Sequence, residues 1–202
     1  MREGITMKTI TNALGNPSDT ESPRIINWVT RSKIMAPVWT AMRVWLGIMW
    51  IQAGWAKLWG AENPYFLHNH GAGVAGFAAH GVASYSWWAT FLHGFVVPNA
   101  GWIGIFVALA EFLAGVGLVL GLLTPAAALG ALVLNLTYML SGVAGVNPFY
   151  ALFAVVILAT WRTSGWIGGD GLIKGYLQRR PARGHIGLRQ GVVGAVEQAQ
   201  AA

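Results

Sequence analysis

Glu111 is the residue best placed to do chemistry. It stands ten residues into an otherwise apolar run, GWIGIFVALAEFLAGVGLVLGLL, from Gly101 to Leu123. Burying a carboxylate at the centre of such a helix costs about 3 kcal/mol, so it must be paired, protonated or turned toward an interior site. Arg43 lies in the preceding apolar run, and its long side chain can extend toward the carboxylate. Two readings follow. One is a buried ion pair that fixes helix register; the other is a proton-handling carboxylate beside a redox or transport site.

Other polar groups recur at helical spacing. Arg43, Gly47, Trp50, Gly54 and Lys57 are three or four residues apart and form one stripe. Lys57, at the end of that run, either snorkels to the interface or offers a positive charge to an anionic substrate. Asn135, Tyr138 and Ser141 form a second stripe, which serves as interhelical hydrogen-bond glue or as donors. A quinone headgroup needs donors for two carbonyl oxygens in an apolar slot, and Tyr138 with Asn135 or Glu111 meets that need. Trp45 and Trp50 either pack as core or wall a flat aromatic ligand.

Metal and thiol chemistry find less support. His68, His70, His80 and His93 are weak candidate metal ligands whose spacing matches no specific motif, and solvated loop histidines are the plainer reading. None falls in an apolar run, which argues against a haem held by axial histidines inside a membrane. The chain has no cysteine, which excludes disulfides, iron–sulfur clusters and redox CxxC pairs. No phosphate-binding loop, dinucleotide fingerprint or catalytic triad signature occurs.

The elements that must position these residues follow from where charge is missing. Between Ile34 and Trp161 only Arg43, Lys57, Glu62 and Glu111 are charged, although 55% of the 202 residues are hydrophobic. That distribution predicts a polytopic membrane protein, and the net charge of +6 then reflects basic flanks of spans rather than nucleic-acid binding. Four spans are predicted: Val38–Trp59, Gly101–Leu123, Pro125–Gly142 and Asn147–Trp166. Thr124-Pro125 and Asn147-Pro148 punctuate the last three, and such short connections imply an all-α, antiparallel four-helix bundle. Trp39, Trp59, Trp102, Trp161 and Trp166 fall at span ends, as aromatic belts do.

No Lys or Arg occurs between Lys57 and Arg162. Positive-inside logic therefore places both termini in the cytoplasm and residues 60–100 outside. That outer segment is long and apolar, and VAGFAAHGVASY and SWWATFLHGFVV read as short interfacial helices with Trp87 and Trp88 at headgroup level. The expected organisation is a tail over 1–36 with a surface stretch at IINWV, a membrane domain over 37–175, and a basic tail over 176–202. No inverted repeat is visible, which argues against a transporter built on Glu111. Gly117 and Gly121 form a GxxxG pattern, a helix-contact signal.

RVWLGIMWIQAGWAKLWG, with Arg43, Gly54 and Lys57, resembles the opening signature of DoxX/DoxD membrane proteins. ALAEFLAGVGLVLGLLTPAAALGA resembles the same family's acidic residue, glycine-rich run and Gly-Leu-x-Thr turn, although Pro125 stands where relatives often place a basic residue. The resemblance implies a four-helix membrane bundle tied to quinone metabolism, of the kind that serves as membrane subunit of thiosulfate:quinone oxidoreductase. It implies catalytic roles for Glu111 and Arg43, and quinone or substrate contacts from Lys57, Asn135, Tyr138 and Trp50. Quinone would act as a diffusible substrate with no tightly bound cofactor, and the bilayer and a partner subunit or second copy would be the partners. The cytoplasmic membrane is the expected location. A non-catalytic assembly subunit of a larger complex is the alternative.

Overall fold

A computed structural model describes residues 23–80 and 85–179. The rest of the two expected tails lies outside the described residues. All regular structure in the described residues is helical. In chain order the α-helices are α1 (Arg24–Arg31), α2 (Ala36–Leu58), α3 (Ala72–His80), α4 (Ser86–Phe91), α5 (Ala100–Leu120), α6 (Thr124–Leu140), α7 (Asn147–Ala159), α8 (Trp161–Ser164) and α9 (Gly169–Arg179). Two π-helical turns, Pro64–His68 and Leu92–Val96, complete the outer segment.

Proline sets three of the four long starts. Pro37, Pro125 and Pro148 occupy first-turn positions, where a missing N–H is harmless and φ is already helical. α5 ends at Gly121, which adopts φ 64° and caps the helix with its N–H on Leu118 O and Gly117 O. The four long helices pack in a closed order, α2 on α5, α5 on α6, α6 on α7 and α7 back on α2.

The α2–α5 contact is backbone on backbone. A Cβ at Gly54 would lie 2.5 Å from Phe112 N, and one at Gly115 would lie 2.5 Å from Ile51 N. Only glycine permits that approach, and close packing of this kind binds helices where burial from water supplies no driving force. Around this contact Leu46, Trp50, Leu118, Ala128, Ala131, Leu134, Ala154 and Ile157 form the main core.

Span lengths differ from expectation. Among the described residues α5 alone is both long and apolar enough to cross a bilayer unaided; α1 and α2 pass that test only as a pair, bent by 59°. The α6 helix has 17 residues and α7 has 13, because the expected fourth span breaks at Thr160 and resumes as the short α8. Thr160 turns its hydroxyl back onto Val156 O at 2.8 Å. Beyond it, α9 runs to Arg179 and so passes the domain end expected at residue 175.

The outer segment forms the expected short helices and has a core of its own. Val74, Ala78, Leu92, Val96 and Ala100 are buried together, with Phe66, Trp88 and Ile103 packed against them. It also stacks on the first turns of α5, where a Cβ at Gly104 would meet Phe66 O at 2.8 Å. Those turns therefore extend past the end of α2, which fixes the level of everything that follows along α5.

Candidate functional site

Lys57 is the second-last residue of α2, and its Nζ lies 2.9 Å from Glu111 Oε2. Glu111 is thus level with the end of α2 rather than halfway along it. The turns of α5 that precede it pack on the outer segment. Glu111 is 1% exposed and the Lys57 side chain 14% exposed. Lys57 therefore turns inward onto the carboxylate instead of snorkelling outward. Its ammonium also lies 3.6 Å from Glu62 Oε2 and 5.3 Å from the centre of the Phe66 ring.

The other carboxylate oxygen is held as well. Tyr138, two residues before the end of α6, donates its hydroxyl proton to Glu111 Oε1. The phenol ring packs edge-on against Phe77 of the outer segment, with centres 5.9 Å apart. Four parts of the fold, α2, the start of the outer segment, α5 and α6, each give one polar group to the cluster.

These groups line a cavity of about 980 Å³. Trp50, Lys57, Glu62, Glu111 and Tyr138 give it its chemistry, and most of its remaining wall is aliphatic or aromatic. Trp50 is 4% exposed, and its indole N–H has no protein partner. Exposed aromatic side chains, among them Phe91, Phe95, Trp102 and Phe106, stand at the margin. Trp88 lines the cavity and donates its indole N–H to Ser141 Oγ at 2.9 Å, tying the outer segment to the end of α6.

Not every expected residue is here. Arg43 lies fourteen residues before Lys57 on one helix, roughly 21 Å along its axis at 1.5 Å per residue. No arginine reaches that far, so Arg43 does not meet Glu111. It donates instead to Leu118 O and, at 2.9 Å, to Ile167 O. Asn135 is fully buried, but its amide returns to Ala131 O at 2.8 Å on its own helix, and it does not line the cavity. Trp45 sits half-exposed against Tyr150 and Phe153, also off the cavity. Among the described residues no three His, Asp or Glu side chains gather as metal ligands, and neither His68, His70 nor His93 lines the cavity. The His80 side chain lies outside the described residues.

Sequence reasoning missed Glu62, Phe66 and Trp88. Glu62 carried a usable signal, being the one charged residue between Lys57 and Glu111 and lying just past the end of α2. The two aromatic residues carried none, since their place depends on how the outer segment folds back over α5.

The family profile described as DoxX matches residues 38–143, more than half of the chain. The chain belongs to the DoxX family. DoxX proteins are membrane-associated. The matched stretch contains Arg43, Lys57, Glu62, Glu111 and Tyr138, so the whole polar cluster lies in DoxX sequence. It stops short of α7, α8 and α9. No curated protein matches the chain, and no solved structure does.

Proposed function

We propose that this DoxX protein is a multi-pass subunit of the cytoplasmic membrane that binds a quinone in the cavity beside Glu111 and serves a quinone-linked oxidoreductase. The observation that carries this reading is the pairing of an aromatic-walled cavity with one compact polar cluster at its wall. A quinone is flat, apolar in its tail and polar only at two carbonyl oxygens. The cavity has matching parts: a spare indole N–H on Trp50, the Tyr138 hydroxyl, and the Lys57 ammonium.

The membrane reading rests on the outer faces of the long helices. Phe106, Leu109 and Leu113 on α5, Leu129, Val133 and Leu136 on α6, and Leu152 and Val155 on α7 are all exposed. In water such contiguous apolar surface would drive association, whereas lipid covers it without penalty. In this reading α2, α5, α6 and α7 with α8 cross the membrane as a four-helix bundle, both termini are cytoplasmic, and the cavity margin opens sideways to lipid. The electron donor is an anionic sulfur compound, thiosulfate in the form the family resemblance implies, delivered by a partner subunit.

Binding is testable without the donor. In lipid nanodiscs, a short-chain ubiquinone analogue should quench tryptophan fluorescence saturably, and Trp50→Phe should remove a large part of the saturable signal. Quenching that rises linearly without saturation would sink the quinone site. Membranes holding this chain should then reduce quinone with thiosulfate once the partner is present. If binding is absent and the chain only co-purifies with other membrane subunits, the assembly-subunit reading replaces this one.

A further inference from the structure

Glu62 lines the cavity, yet nothing in the quinone reading employs it. It is half-exposed, with 51% of its side chain accessible, and it belongs to a graded series. From Glu62 the series passes to Lys57 at 3.6 Å, from Lys57 to Glu111 at 2.9 Å, and from Glu111 to the Tyr138 hydroxyl. Exposure falls from 51% at Glu62 to 14% at Lys57 and 1% at Glu111. A surface carboxylate, an ammonium, a buried carboxylate and a phenol stand in one line, each able to pass a proton to the next.

Glu111 is the most buried member, and Tyr138 beyond it is part-buried and faces the cavity. On the other side of Glu111 the core is closed by Leu46, Leu118, Leu134, Ala128 and Ala131. Between Glu111 and Arg43, along α2, α5 and α6, no titratable side chain intervenes apart from Tyr138 itself. Tyr150 of α7 is the remaining titratable group on the cavity wall, and no histidine among the described side chains lines it.

We propose that Glu62 and Lys57 are a proton relay, joining the surface of the outer segment to the Glu111–Tyr138 pair. The inference rests on the reading of the cavity as a site where a bound carbonyl oxygen is protonated. When the sulfur donor supplies electrons to the quinone, Tyr138 gives its hydroxyl proton to the adjacent quinone oxygen. Lys57 passes a proton to the Glu111 carboxylate, Glu111 passes it to the Tyr138 oxygen, and Glu62 returns one from solvent to the Lys57 amine. One passage moves one proton from the outer surface to the quinone and leaves all four side chains as they began.

The test does not require turnover. Full-length protein in nanodiscs is subjected to a pH jump, and infrared difference spectroscopy follows the carboxylic C=O band that Glu111→Gln removes. Glu62→Gln should slow the appearance of that band by about tenfold or more, on the scale of a removed acid–base group, and Glu62→Asp should restore part of the rate. An unchanged rate in Glu62→Gln would overturn the relay, and so would a wild-type protein in which the Glu111 band never responds to pH. Saturable quinone quenching in the wild type judges the quinone site separately, so either idea can fail while the other stands.

Discussion

Arg43 and Glu111 are both buried charges, each 1% exposed, but their surroundings are built on opposite plans. Around Arg43 the partners are backbone: Leu118 O, Ile167 O, and the left-handed turn at Gly121 pressed against the guanidinium. Asp170 completes that end by accepting the N–H groups of Leu123 and Thr124 at 2.8 and 2.9 Å and donating its own N–H to Gly121 O at 2.7 Å. Around Glu111 the partners are side chains that can move, and they border a cavity. Groups locked onto carbonyls hold a turn; groups locked onto each other beside a space can exchange a proton. In the proposed reading the first charge holds the structure and the second takes part in the chemistry.

The contrast breaks most sharply at Arg43. Arg43→Ala would leave two buried carbonyls and the Asp170 charge without their cation, and a loss of about 3–5 kcal/mol is expected. Denaturant titration in detergent reads it, and Arg43→Lys should recover little, since one ammonium cannot replace the guanidinium fork. If Arg43→Ala unfolds like the wild type but loses quinone binding, the assignment of the two regions is reversed. Glu111→Gln should do less to the fold: the glutamine keeps an acceptor for the Tyr138 hydroxyl and Lys57 keeps Glu62, so a loss of about 1–3 kcal/mol is expected, while quinone reduction in the assembled complex should drop by about 100-fold.

Two smaller effects sharpen the structural half. A Cβ at Gly121 would lie 2.4 Å from an Arg43 guanidinium nitrogen on a backbone at φ 64°. Gly121→Ala should therefore cost about 1–3 kcal/mol, visible as a lower thermal midpoint. Asp170→Asn weakens a cap that holds the start of α6 and should cost about 1 kcal/mol in the same assay.

The sequence disclosed the helices better than their relative heights. Starts at Pro37, Pro125 and Pro148 were legible because proline and short turns act locally. The end of α7 was not, because the hydrophobic run continues through Trp161 with no Pro or Gly to mark the break. Lys57, Glu111 and Tyr138 were each visible as polar residues in apolar runs. Their joining was hidden, because it depends on the overhang of α5 past α2, and that overhang is set by the packing of the outer segment. The same hidden offset separated Arg43 from Glu111. Of the GxxxG pair, Gly117 does meet a neighbouring helix, a Cβ there lying 3.0 Å from Ala127 Cβ of α6, while Gly121 is needed for its positive φ at the turn.

The Arg43 hub also sets a timetable. Its two carbonyl partners lie 75 and 124 residues further along the chain. During synthesis the first is within reach once α5 has emerged, but Ile167 and Asp170 arrive only after α7 and α8. A ribosome paused before residue 167 therefore holds a bundle in which α2 is packed on α5 but Arg43 still lacks its second carbonyl. Nascent chains of increasing length should gain a further step of protease resistance as Ile167 leaves the exit tunnel.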